Sequence, residues 1–157
     1  MSRPGFVLPL LLLAGFEAIT DEANRRLGEQ GHPNMRSAYG FAMQAVGRGA
    51  SVSEVGRTLG ISKQAATKTV NRLVDLGYLR IDADPQDARR KIATRTERGM
   101  DMLDRSAVIF EQLADEWATT IGRRRLDQLE DDLSSLVGDR ALRLEGRAGF
   151  GPEGSAD

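Results

Sequence analysis

Residues 62–75 read SKQAATKTVNRLVD, and the polar ones recur at helical spacing. At 100° per residue, Gln64, Thr67, Lys68, Asn71 and Arg72 share one arc, and Ala66, Thr69, Val70, Leu73 and Leu76 share the opposite one. An outer face of amides, hydroxyls and cations suits hydrogen bonding to base edges and phosphates. Gln64 can pair bidentately with an adenine edge, Lys63 or Lys68 can donate to guanine, and the Ala65 methyl can touch a thymine methyl. Ser62, Thr67, Asn71 and Arg72 suit phosphates, which fix register without reading sequence. A second basic cluster, Arg89-Arg90-Lys91, follows Asp84-Pro85-Gln86-Asp87. Arg89 is expected in a minor groove, where a narrow A·T tract concentrates negative potential. Asp87, which phosphate would repel, is expected to hold that arginine in place. For any single one of these side chains, plain solvation is the competing explanation.

Such a face needs elements to hold it. Ser51-Val52-Ser53-Glu54 has the spacing of a capping box, in which each side chain satisfies the other's orphan backbone donor. The short helix it opens turns Val55 and Leu59 inward, Gly60 supplies the turn, Ile61 plugs the angle, and Ser62 caps the next helix. Gly77 stands at that helix's C′ position. Beyond it the period drops from 3.6 to 2. Leu79 and Ile81 alternate with Arg80 and Asp82, and Ile92 and Thr94 with Lys91 and Ala93. The Asp-Pro turn between them makes a β-hairpin with a basic tip. Deterrence of edge pairing could explain such a tip, but directly after a helix-turn-helix a DNA-contacting wing is the better reading.

The flanks are helical. A first helix is expected over residues 8–29, with Pro9 in its first turn, ending before Gly31, His32 and Pro33. Its apolar start, from Phe6 to Phe16, invites a signal-peptide reading, but Pro9 interrupts it and no clear cleavage site follows. Eleven apolar residues are too few to span a bilayer. An interface helix in a cytoplasmic protein fits better. A second helix follows Asn34, a plausible N-cap. From Thr96 a long helix carries Met100, Leu103, Ala107, Phe110, Ala114 and Trp117 at heptad spacing, a seam asking for another helix. Gly122 breaks it. A last helix stripes Leu126, Leu129, Leu133, Leu136 and Val137, fraying after Leu142 into a Gly- and Pro-containing tail.

The totals narrow the function. The 157 residues have a formal net charge of −1, but residues 48–100 hold 11 Lys and Arg against 6 Asp and Glu, a local +5 within flanks of −6. A basic middle inside acidic flanks is the footprint of a DNA-facing module. There is no cysteine and one histidine, His32, so disulfides, thiol chemistry and familiar Cys/His metal sites are excluded. No Ser/His/acid set and no phosphate loop point to an enzyme. No cofactor and no metal are expected. The expected fold is mainly α with a small β-wing, a winged helix-turn-helix flanked by dimerisation helices. Its divisions are an N-terminal dimerisation helix (1–33), a DNA-binding domain (34–99), C-terminal dimerisation helices (100–143) and a disordered tail (144–157).

This arrangement resembles the multiple antibiotic resistance regulator (MarR) family of bacterial transcription factors. The resemblance rests on Gly60-Ile61-Ser62 through Gly77-Tyr78-Leu79, on Asp84-Pro85-Gln86-Asp87-Ala88-Arg89, and on Thr96-Glu97-Arg98-Gly99. It implies a homodimer on a pseudo-palindromic operator of double-stranded DNA, often released by a small aromatic or phenolic effector. Two positions depart from the pattern: Ala88 stands where a basic residue is usual, and Arg95 where a leucine commonly precedes the threonine. Absence of cysteine argues against the peroxide-sensing members, and the single histidine against the zinc-sensing ones. Phe16, Tyr39, Met43 and Trp117 could line an effector pocket, with His32 and Arg36 meeting an anionic ligand there, although ordinary core packing accounts for these residues more simply. The alternative function is a winged-helix protein–protein interaction module without an operator.

Overall fold

The computed structural model of the chain describes residues 3–138. The expected tail at 144–157 and the fraying after Leu142 lie outside these residues. The chain order is α1 (Val7–Glu29), α2 (Ser37–Val46), α3 (Val52–Leu59), α4 (Lys63–Asp75), β1 (Leu79–Ala83), β2 (Lys91–Arg95), α5 (Glu97–Ile121) and α6 (Arg123–Val137).

The local signals at the centre of the chain act as their chemistry requires. Ser51 Oγ accepts from Glu54 N while the Glu54 carboxylate accepts from Ser51 N at 2.7 Å, a complete capping box. Gly60 takes φ +68, and Ser62 Oγ accepts from Ala65 N at 3.1 Å to start α4. At the other end of α4, Tyr78 N donates to Leu73 O and Gly77 N to Val74 O, both at 2.9 Å. These are the two bonds of a Schellman ending, with Gly77 at φ +79. Ala66, Val70 and Leu73 are fully buried, so α4 is held by the face opposite its polar one.

Three local expectations need correction, and the α5 stripe divides between two surroundings. Asn34 is not the cap of α2: it sits at φ +64 in the preceding turn, a conformation Asn tolerates, and Arg36 precedes the helix without a side-chain cap bond. Ile61 does not plug the helix angle; it is 40% exposed, while Gly56 lets α3 approach the backbone of residues 61–62 directly. In β2 the inward residue is Ala93, opposite Ile81 in the register, and not the Ile92–Thr94 pair. Ala93 also exchanges two backbone hydrogen bonds with Ala50, which anchors the wing root to the segment after α2. Finally, α5 buries Gly99, Met102, Ile109 and Leu113 within the chain. Of the heptad stripe, Leu103 and Phe110 are half-buried against the core, but Met100, Ala107 and Trp117 stay exposed. At Gly99, α5 meets the Tyr78 backbone too closely for a side chain to fit between them.

Helix α1 packs along α5, with Arg26 bridging Glu22 and Glu116. Its first half meets little: Phe6, Leu8, and Leu10 through Leu13 are all about half-exposed. In α6, Leu126 is buried and Leu129, Leu136 and Val137 are exposed. Among the described residues, no helix is long and apolar enough to cross a membrane.

Arg95 neither leaves the strand end open nor reaches for solvent. Its Nε donates to Met43 O at 2.9 Å and its Nη2 lies 3.4 Å from Gln44 O. Both carbonyls belong to the last turn of α2, where orphan acceptors and the helix dipole favour a cation. Burial pulls the Arg95 pKa below its usual value, so the carbonyls matter as compensation. Replacing it with leucine is expected to destabilise the fold by about 1–2 kcal/mol, read as a lower midpoint in urea unfolding, because the Met43 carbonyl loses its donor while Gln44 O keeps only Gly47 N.

Candidate nucleic-acid interface

Helix α4 presents Ser62, Lys63, Gln64, Ala65, Lys68, Asn71 and Arg72 as an exposed face, with Thr67 half-buried among them. The Thr67 hydroxyl is committed to its own helix, donating to Lys63 O at 2.8 Å. Between this face and the wing runs an open trough of about 490 Å³, with Asn71 on one wall and Ile81, Asp82 and Lys91 on the other. The hairpin therefore brings Lys91 towards the flank of α4 from a position 20 residues later.

The hairpin tip is closed by Asp84 N donating to Arg90 O at 2.8 Å, and by two carboxylates that accept from the backbone: Asp84 from Gln86 N and Asp87 from Arg89 N, at 2.9 and 3.0 Å. Asp87 thus holds Arg89 through the peptide, leaving the guanidinium outward. Arg90 behaves differently. Its Nη2 meets Glu54 Oε1 at 2.5 Å, and Asp84 lies 3.8 Å from the same guanidinium. Glu54 spends its other oxygen on the capping box, and the Ser51 backbone bond together with Arg90 holds its pKa at about 2. The sequence shows Glu54 as a cap; its reach to residue 90 has no local signal.

The suggested pocket residues scatter. His32 is buried, its Nε2 2.8 Å from Asp101 and its Nδ1 3.1 Å from the Tyr78 hydroxyl. Phe16 stacks on Phe41 with ring centroids 6.2 Å apart, Met43 is inside the core, Tyr39 is half-buried beside it, and Trp117 lies over Gly15. A crevice of about 90 Å³ does exist between α1, α2 and α5. Leu27, Phe41, Gln44, Met102 and Phe110 line it, and Arg36 is the one member of the suggested set on its wall.

The MarR family model matches residues 41–90, which span α2 through the wing tip. No curated protein matches the chain. Among solved structures, the reduced form of MarR from E. coli is similar with a TM-score of 0.71 at 18% identity, covering 88% of this chain and 99% of that one. A MarR-family transcriptional regulator from Rhodococcus sp. RHA1 has TM-score 0.65, 19% identity, and covers 87% and 96%. CouR from Rhodococcus jostii RHA1, bound to p-coumaroyl-CoA, has TM-score 0.61, 21% identity, and covers 86% and 95%. At such identities these neighbours speak for the fold, and the family model speaks for residues 41–90 alone. Residues 41–90 are thus similar to the MarR family of transcriptional regulators, and the chain as a whole shares the fold of these neighbours.

Proposed function

We propose that the chain is a cytoplasmic, sequence-specific DNA-binding repressor acting as a homodimer on a pseudo-palindromic operator. The observation behind this reading is the exposed face of α4, flanked by a wing whose Arg89 and Lys91 have no acidic partner within ion-pair distance among the described residues. Two copies would set their recognition helices into successive major grooves about 34 Å apart. Gln64, Lys63, Lys68 and Ala65 would read base edges; Ser62, Thr67, Asn71, Arg72 and Lys91 would hold phosphates; Arg89 would enter the minor groove. The exposed leucines of α1 support the second copy, since apolar area of that extent asks for cover. The crevice beside α2 supports a small aromatic effector with Arg36 at its rim, and CouR, a neighbour in fold, was solved with an aromatic acyl thioester.

Binding to the DNA upstream of the chain's own gene, measured at several salt concentrations, tests the reading. Selective retention with a steep salt slope is the expected result. Affinity indifferent to sequence and salt would favour a protein–protein module. At residue level, Arg89→Ala is expected to weaken binding broadly and lower the salt slope by about 1 per protomer, whereas Gln64→Ala relaxes preference at one base position by about 1–3 kcal/mol.

A further inference from the structure

Three cations crowd the wing tip, and the structure treats them unequally. Arg89 and Lys91 face outward. Arg90 turns back 36 residues along the chain to Glu54, and that carboxylate is the N3 member of the α3 capping box. One side chain therefore does two jobs: Oε2 takes the Ser51 amide and hydroxyl, and Oε1 takes Arg90. Both side chains of the ion pair are partly exposed, Arg90 at 44% and Glu54 at 38%, so the contact is reachable by solvent yet geometrically fixed by the cap. The hairpin itself closes through the Arg90 carbonyl, so fixing the Arg90 side chain fixes the tip that carries Arg89.

We infer that Arg90 is a positioning residue for DNA recognition and not a phosphate contact: its pairing with Glu54 docks the wing on the helix-turn-helix and sets the approach of Arg89 to the groove. This inference rests on the DNA-binding reading. It makes an acidic residue, remote from any base, a determinant of affinity. Simple electrostatics predicts the opposite sign, since removing a carboxylate near DNA reduces repulsion and releases an arginine for phosphate.

The test is a salt titration of dimer binding to the duplex selected from the upstream region, with wild type, Glu54→Gln, Arg90→Gln, Arg89→Gln and the Glu54→Gln/Arg90→Gln double variant. Gln serves at N3 of a capping box, so Glu54→Gln removes the ion pair while keeping the cap; unchanged thermal melting checks this. Glu54→Gln and Arg90→Gln are each expected to weaken binding about tenfold, with the double variant no weaker than either, because both break one contact. Their salt slopes match wild type, while Arg89→Gln lowers the slope by about one contact per protomer. Tighter or equal binding by Glu54→Gln overturns the inference, as does an Arg90→Gln slope reduced like that of Arg89→Gln. Arg90→Gln sits at an exposed tip and decides the matter even if Glu54→Gln fails to fold. If wild type itself shows no selective binding, the regulatory reading falls and this inference falls with it.

Discussion

Gly99→Ala is expected to destabilise the protein by about 3 kcal/mol, although helix propensity alone predicts a gain of about 1 kcal/mol for that change. Gly99 lies in the first turn of α5, and a Cβ there would stand 2.3 Å from the Tyr78 carbonyl oxygen and 2.8 Å from Met43 Cε. The methionine can swing aside; the carbonyl cannot. It accepts from Thr96 N at 3.1 Å, and Thr96 at once caps α5 by accepting from Gly99 N and donates its hydroxyl to Gly77 O at 2.6 Å. Moving the carbonyl disturbs the start of α5 and the end of α4 together. Equilibrium unfolding at fixed protein concentration reads the cost. A variant as stable as wild type would mean that the two helices can separate without loss.

Tyr78→Phe carries the second large effect, expected at about 2–3 kcal/mol, with the core volume hardly changed. The phenol is buried, and Arg98 Nη2 donates to it at 3.2 Å from a guanidinium whose carbon lies 4.8 Å from the ring centroid. Burial pushes the Tyr78 pKa up and Arg98 pulls partly against it, so the group stays a neutral hydroxyl with a proton to give. The phenol lies 3.1 Å from His32 Nδ1, and His32 Nε2 lies 2.8 Å from Asp101, itself held by Arg105; in a neutral imidazole whose Nε2–H donates to Asp101, Nδ1 is the acceptor for the phenol proton. Phenylalanine would leave a buried imidazole nitrogen without a partner and remove an acceptor from Arg98. Removing both ends, in Tyr78→Phe with His32→Leu, should cost less than the sum of the single changes. Additive costs would show that no such chain operates.

These two sites mark where sequence reading stops. The helix-turn-helix was legible because its signals are local: Ser51 with Glu54 three residues on, Gly60 in a left-handed turn, Ser62 before its helix, Gly77 after it. Each is decided by neighbours within about one helical turn. The β-hairpin was legible from its period and its Asp-Pro turn, although the inward face of β2 went to Ala93 because a third segment, at Ala50, pairs with it. His32 gave no such warning. Its partners lie 46 and 69 residues away, so core packing, the simpler reading of this histidine, came without any sign of which groups it would meet. Arg90 and Arg95 looked like surface cations for the same reason: the carboxylate and the carbonyls that hold them come from other elements. Charge composition counts residues; it cannot say which cations are already engaged.

The 25 residues of α5 run unbroken from Thr96 at the wing root to Gly122 at the far end, a rod of about 37 Å. One end is keyed to the recognition helix through Gly99, Thr96 and Tyr78; the other adjoins α6 and the exposed apolar surface on which a second copy would dock. Such a rod acts as the arm of a pair of calipers. A swing of about 5° at the far end moves the near end by about 3 Å, roughly one base-pair step. In the proposed dimer the gap between the two α4 helices would then be governed by an angle at the joint, so a residue far from DNA would detune the grip on an operator without touching a single contact to it.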